Sequence, residues 1–221
     1  MLKRKIYLES SFKWAPGMDD AAWKRWAGGA ARIPFSEEHP PMEYLSAKSL
    51  RRMNQMTRMT IHALHAMLPL AEDSALFFIS SIGEADQQFA LEREYRVEKE
   101  IHPAVFSYSV FNAPIAMATI LLKQDRPYSC MFGSHNEVKS GFLTAIAPLV
   151  SGRRNEEVVI VCEEAIPAEY VAIHQEGGNE PFVYALKLTS RATERELDAG
   201  FLDSLTTEEE LLKTLVGKGW V

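Results

Sequence analysis

The hydrophobic positions of this chain follow two patterns. Short continuous apolar runs, bounded by glycine, proline or polar clusters, read as buried strands: Ala75 to Ser81, Tyr128 to Phe132, Val158 to Cys162 and Phe182 to Leu188. Lys5 to Lys13 alternates loosely and is rich in β-formers, which predicts a first strand ahead of the turn Trp14-Ala15-Pro16-Gly17. Between these runs the apolar spacing becomes helical. A short helix from Asp19 or Asp20 carries Trp23 and Trp26 and stops at Gly28-Gly29. Ser46 to Leu68 is predicted as the longest helix, with Leu50, Met53, Thr57, Ile61, Leu64 and Leu68 on one face. Glu84 to Glu100 reads as a helix with a charged, solvated outer face. Residues 31–44, with Pro34, Pro40 and Pro41, form an irregular loop, either a surface strap or a contact surface.

The stretch from Phe106 to Leu149 organises the rest. Asn112 is placed to cap a helix, and Pro114 sits in its first turn, where a missing N–H costs nothing. Ala113 to Leu122 is apolar nearly all round, which predicts a helix buried on every side. Asp125-Arg126-Pro127 ends it, Tyr128 to Phe132 is a strand, and Gly133 breaks that strand. Ser134, with Glu137 three residues on, has the pattern of a capping box for a second helix carrying Phe142, Leu143, Ile146 and Leu149. A strand turning sharply into a helix sets one side chain at the positive end of the helix dipole, a position suited to a nucleophile. The candidates there are Ser134 and His135.

Strands alternating with helices imply an α/β fold, with a mostly parallel sheet covered by helices on both faces. A chain of 221 residues fits a single domain, 1–221, in which 191–221 is a polar segment closed by a helix from Thr206-Glu210 to Leu215.

Charge then narrows the partners. A net charge of −6 argues against nucleic acid and against an anionic membrane, both of which favour a basic surface. The N-terminal MLKRKIYLESS lacks the apolar core of a signal peptide, and no run of about 18 apolar residues occurs, so the cytoplasm is the expected compartment. Cys130 and Cys162 lie in strand-like runs and read as small buried hydrophobes, neither disulfide nor metal ligands. His62 and His65 are one helical turn apart, the spacing of a metal pair, yet no acidic or cysteine ligand is nearby in sequence. They are read as histidines packed in or beside the core, and no metal or cofactor is expected. The run Ile82-Gly83-Glu84-Ala85 has one glycine and no following Lys-Ser/Thr, so it is not a phosphate loop. A serine nucleophile at Ser134 would need a base and an orienting acid such as Glu163; the local Phe-Gly-Ser-His-Asn lacks the second glycine of the G-x-S-x-G elbow.

FSYSVFNAPIAMATI, RPYSCMFGSHNEVKSGFLTAIAPLVSG and EEVVIVCEEAIPAEY resemble, in order and spacing, the N-terminal half of β-ketoacyl synthases. The likeness extends upstream through IYLESSFKWAPGMDDAAWKRWAGG and LSAKSLRRMNQMTRMTIHAL, and so covers roughly residues 3–190. The resemblance is nearest to the short ketoacyl-synthase-like and chain-length-factor proteins of aryl polyene and related polyketide pathways. It implies one half of a thiolase-like fold, with Ser109, Asn112, Pro114 and Gly133 at family-motif positions. The family's thiolate position maps to Ser134 or His135, and Cys130 is several residues out of place. The family's catalytic histidines belong to a C-terminal half that this sequence does not include, and His102, His135 and His174 have no matching motif around them. Many relatives carry histidine in the stretch where this chain has Phe111.

The resemblance therefore implies a non-catalytic subunit of chain-length-factor type. It would pair with a full β-ketoacyl synthase, or with itself, in polyketide or fatty-acid-like biosynthesis. Carrier proteins are acidic, so an acyl-carrier-protein contact is expected at Arg51, Arg52 and Arg58. Two other classes stay open: a small acyl-processing enzyme using Ser134 or His135, and a stand-alone acyl-chain or carrier-protein binding module.

Overall fold

In the computed structural model, residues 4–51, 53–132, 137–165, 180–198, 201 and 207–221 are described. Strand β1 runs Ile6–Trp14, β2 Ala75–Ser80, β3 Tyr128–Phe132, β4 Glu156–Glu163, β5 Phe182–Thr189 and β6 Glu196–Leu197. They form one sheet in the order β3-β2-β4-β5-β1-β6. The expectation of a mostly parallel sheet is corrected. β2 pairs in parallel with β3 and with β4, whereas β4–β5, β5–β1 and β1–β6 are antiparallel, so the sheet is mixed. The expectation rested on apolar runs, and a strand buried on both faces reads the same in either direction.

β2, β4 and β5 are buried along their whole length, and their alternate residues feed two cores. Phe77, Ile79, Val159, Val161, Tyr184 and Leu186 point to one face. That face is covered by α1 (Asp20–Ala27) through Trp23 and Trp26, by α7 (Glu137–Ser151) through Phe142, Ile146 and Leu149, and by α8 (Glu208–Gly217) through Leu211, Leu212 and Leu215. Leu76, Phe78, Val158, Ile160, Cys162 and Val183 point to the other face. There they meet Met56, Met59 and Leu64 of α3 (Gln55–Ala66) and Ile115 and Ala118 of α6 (Ala113–Leu121). Two-sided burial is as the sequence implied. Cys162 is buried, as read, whereas Cys130 is only half-buried.

Three local expectations are corrected. The helix predicted over Ser46–Leu68 is two helices, α2 (Ala47–Leu50) and α3, because Asn54 caps α3 by accepting from the Thr57 N–H at 3.0 Å. The apolar periodicity runs on through Met53 and conceals that break. α6 is not buried on every side, since Ile120 is 67% exposed. Asn112 stands at its N-cap without a side-chain capping bond, while Pro114 does lie in the first turn. The sequence also gave no sign of the short helix α5 (Pro103–Ser109) or of β6. The acidic helix is α4 (Ala85–Glu98), and the last helix is capped by Thr207, which accepts from the Glu210 N–H. Among the described residues no single helix is long and apolar enough to cross a membrane.

Candidate functional site

The parallel strands β2, β3 and β4 end side by side, and the C-terminal edge of parallel strands is where α/β sheets bind ligands. At the end of β2 the chain turns through Gly83, whose φ of +59° suits glycine. A Cβ at Gly83 would lie 3.5 Å from Cβ of Phe111 and 3.8 Å from Cδ2 of Phe132. Phe111 and Phe132 stack with centroids 4.4 Å apart. Phe132 is the last residue of β3, immediately before Gly133 and Ser134. Two stacked aromatic rings therefore lie against the turn that ends β2, and both are partly exposed.

Behind the rings lies a buried acidic cluster. Asn54 Nδ2 donates to Oε2 of Glu84 and to Oε2 of Glu164, the latter at 3.1 Å. Thr57 Oγ1 bonds Oε1 of Glu84 at 3.1 Å, and the Asp86 N–H donates to Oε1 of Glu164 at 3.1 Å. Glu163 accepts from Ser80 Oγ at 3.1 Å and from the Ser81 N–H at 2.5 Å. Burial pushes the Glu84 carboxyl up to about 8, and burial with the neighbouring Glu84 charge pushes Glu164 up as well. Gln55 joins the same hub: its Nε2 donates to the carbonyls of Ser36 and Glu38, and its Oε1 accepts from the Ala165 N–H. Residues 54–55 thus tie the 31–44 loop, the β2–α4 turn and the end of β4 to the start of α3. Sequence reading missed this hub because Glu84 and Glu164 lie far apart in the chain; the available signal was Asn54 three residues before Thr57.

The residues singled out from sequence do not all meet here. Ser134, His135, Gly133, Arg52 and His174 lie outside the described residues. Ser109 is buried, its Oγ donating to the Phe106 carbonyl at 3.0 Å. Arg58 donates from Nε to the Met53 carbonyl and from Nη2 to the Leu50 carbonyl, while Arg51 faces solvent. Cys130 sits within β3 opposite Phe78, and burial pushes its thiol up to about 11, away from the thiolate form. His62 shares a 3.2 Å hydrogen bond with the Tyr44 hydroxyl, and His65 stacks on the Tyr44 ring at 3.8 Å. Both histidines are thus engaged in packing the 31–44 loop. Among the described residues, Glu94, Glu98 and His102 bring ligand atoms within 4.8 Å of one another on the outside of α4, a grouping that could hold a metal ion.

The family model described as "Beta-ketoacyl synthase, N-terminal domain" matches residues 23–214. The chain belongs to this family. The fold agrees with that membership: it is a mixed α/β half of a thiolase-like fold. No curated protein sequence matches the chain. Among solved structures, a chain of the ketosynthase (ApeO) in complex with its chain length factor (ApeC) from Xenorhabdus doucetiae superimposes with a TM-score of 0.73 at 21% identity, covering 85% of this chain and 80% of that one. The ishigamide ketosynthase/chain length factor gives 0.70 at 12% identity, covering 86% of this chain and 64% of that one. The ketosynthase from module 1 of the bacillaene synthase of Bacillus amyloliquefaciens gives 0.60 at 13% identity, covering 84% of this chain and only 42% of that one. At these identities the likeness is one of fold.

Proposed function

We propose that this β-ketoacyl synthase N-terminal domain protein is a non-catalytic subunit of chain-length-factor type. It pairs with a complete β-ketoacyl synthase in polyketide or fatty-acid-like biosynthesis of the aryl polyene kind. The observation that carries the reading is the open edge of the sheet. β3 is a terminal strand, and Tyr128 and Phe132 on it are partly exposed, as are Phe106, Phe111, Ile120 and Leu143. A flat apolar edge strand invites pairing with another chain and needs cover. The fold likeness to chains of ketosynthase–chain length factor complexes supports the choice of partner.

In this reading the stacked Phe111 and Phe132 face the shared interface and bound the space open to a growing acyl chain. Ser134 or His135 occupies the position where a synthase holds its thiolate, so the chain depends on its partner for condensation. Arg51 and Arg52 are the cations offered to an acyl carrier protein, with Arg58 bracing the backbone beneath them.

The test is co-purification with a ketosynthase that keeps its thiol and histidines, followed by light scattering. A heterodimer is expected, weakened at least tenfold by Tyr128→Lys or Phe132→Glu. A monodisperse monomer that binds no ketosynthase overturns the partner reading, and a stable homodimer replaces the partner with a second copy. The chain alone should not condense acyl and malonyl thioesters. Turnover lost on Ser134→Ala or His135→Ala would assign the site to an acyl-processing enzyme instead.

A further inference from the structure

Glu84 and Glu164 come to one point from distant parts of the chain, and one amide nitrogen, Asn54 Nδ2, donates to both. Both residues are buried, Glu84 fully so. We propose that Glu84 and Glu164 carry a single proton as a pair, and that this shared proton keeps the start of α3, the β2–α4 turn and the end of β4 together.

The donors around the pair decide where the proton sits. Glu164 receives the N–H groups of Asp86 and Met56 and the amide of Asn54, at the N-terminal ends of α4 and α3, so its charge is stabilised there. Glu84 faces the Thr57 hydroxyl, which accepts a hydrogen bond as readily as it donates one. Glu84 can therefore carry the proton by donating to Thr57 Oγ1 while Glu164 takes the charge, and Asn54 Nδ2, which donates to both carboxyls, couples the two.

The surroundings offer no rescue for a second charge. From α4 the facing charged group is Asp86, and from β4 the titratable group beside the pair is the buried Cys162 thiol, which the two glutamates help keep protonated. From α3, Arg58 is turned to the carbonyls of Leu50 and Met53. No lysine, arginine or histidine side chain among the described residues bonds either carboxyl. A second buried negative charge in this cluster is opposed first by burial and then by the partner carboxylate and Asp86. Its formation pushes the start of α3, the Gly83-Glu84 turn and the end of β4 apart, and Gly83 is the residue that lies against Phe111 and Phe132.

The sign follows from linkage. An unfolded glutamate releases its proton near pH 4.5, whereas the folded pair keeps it to about pH 8. Between those values the folded state binds the extra proton, so stability falls as pH rises and levels off above about 8.

Thermal melting of the full chain from pH 5 to pH 9 tests this, beside infrared difference spectra for a protonated carboxyl and amide exchange at Thr57 and Asp86. For the wild type, one retained proton predicts a melting temperature falling by about 3 °C per pH unit up to about pH 8. A buried carboxylic-acid carbonyl band should be present at pH 6.5, and amide exchange should quicken several-fold above pH 8. Glu84→Gln, a neutral isostere, should remove the band and flatten the slope, whereas Asp86→Asn should keep the band. A wild type with no such band at pH 6.5, or a Glu84→Gln protein with an unchanged slope, overturns the shared proton. The infrared measurement needs no variant to fold, and none of these readings depends on a ketosynthase partner.

Discussion

Gly141 lies inside α7, where glycine costs a helix about 1 kcal/mol relative to alanine. An exposed helical glycine replaced by alanine would therefore stabilise the protein. Here a Cβ would stand 2.7 Å from Cδ1 and 3.0 Å from Cγ1 of Ile79, with Met131 Sδ at 3.5 Å. Ile79 is in the middle of β2 and fully buried among Phe77, Val159 and Val161, so it has nowhere to swing. Overpacking of this kind costs about 1–3 kcal/mol, which outweighs the gain in propensity. Gly141→Ala should lower stability by about 1 kcal/mol, or roughly 3 °C in melting temperature for a chain of this size. Ile79→Val removes Cδ1 and alone costs about 1 kcal/mol. In the double variant the 2.7 Å clash is gone, the 3.0 Å contact with Cγ1 remains, and most of the alanine's propensity returns. The pair should be at least about 1 kcal/mol more stable than the two single costs added together. Urea denaturation of the four proteins measures the cycle. Additive costs, or a stabilised Gly141→Ala, would refute the argument that close approach to β2 requires this glycine.

Two further outcomes follow from side chains already placed. Arg58→Ala removes the fork that satisfies the Leu50 and Met53 carbonyls and should cost about 2 kcal/mol in urea denaturation, with Arg58→Lys restoring only part; an Arg58→Ala protein of wild-type stability would show the fork to be dispensable. His62 is held below its ordinary value of 6.5 by burial and then by His65, so the unfolded chain binds the extra proton and stability is lost as pH falls below about 6.5; His62→Gln should remove that loss in melts between pH 5 and pH 7, and an identical acid limb in the variant would sink the assignment.

The central strands were legible because burial on both faces leaves continuous apolar runs, as in β2 and β4. Strand direction was not, because Phe182–Thr189 would carry the same residues beside a parallel or an antiparallel neighbour. The break before α3 escaped notice because Leu50, Met53 and Thr57 keep helical spacing across it, although Asn54 and Thr57 held the capping signal. The exposed Ile120 could not be told from a core residue, since a side chain awaiting a partner chain and one awaiting this chain's own core look alike in sequence. The acidic hub was invisible for another reason: its members are brought together by the sheet alone, and each glutamate taken singly reads as an ordinary surface residue.

The position of β1 carries a consequence for how the molecule is made. Tyr7 pairs with Thr189 and Ile6 with Leu197, so β1 is flanked on both sides by strands that leave the ribosome long after it. Until β5 emerges, β4 has one unpaired margin and the N-terminal strand has no seat, although β2, β3 and β4 already have one another. Contacts this distant along the chain slow folding and prolong the life of sticky half-built forms. The nascent protein therefore passes through a stage with two bare margins, that of β4, which β5 later closes, and that of β3, which nothing in the described chain covers.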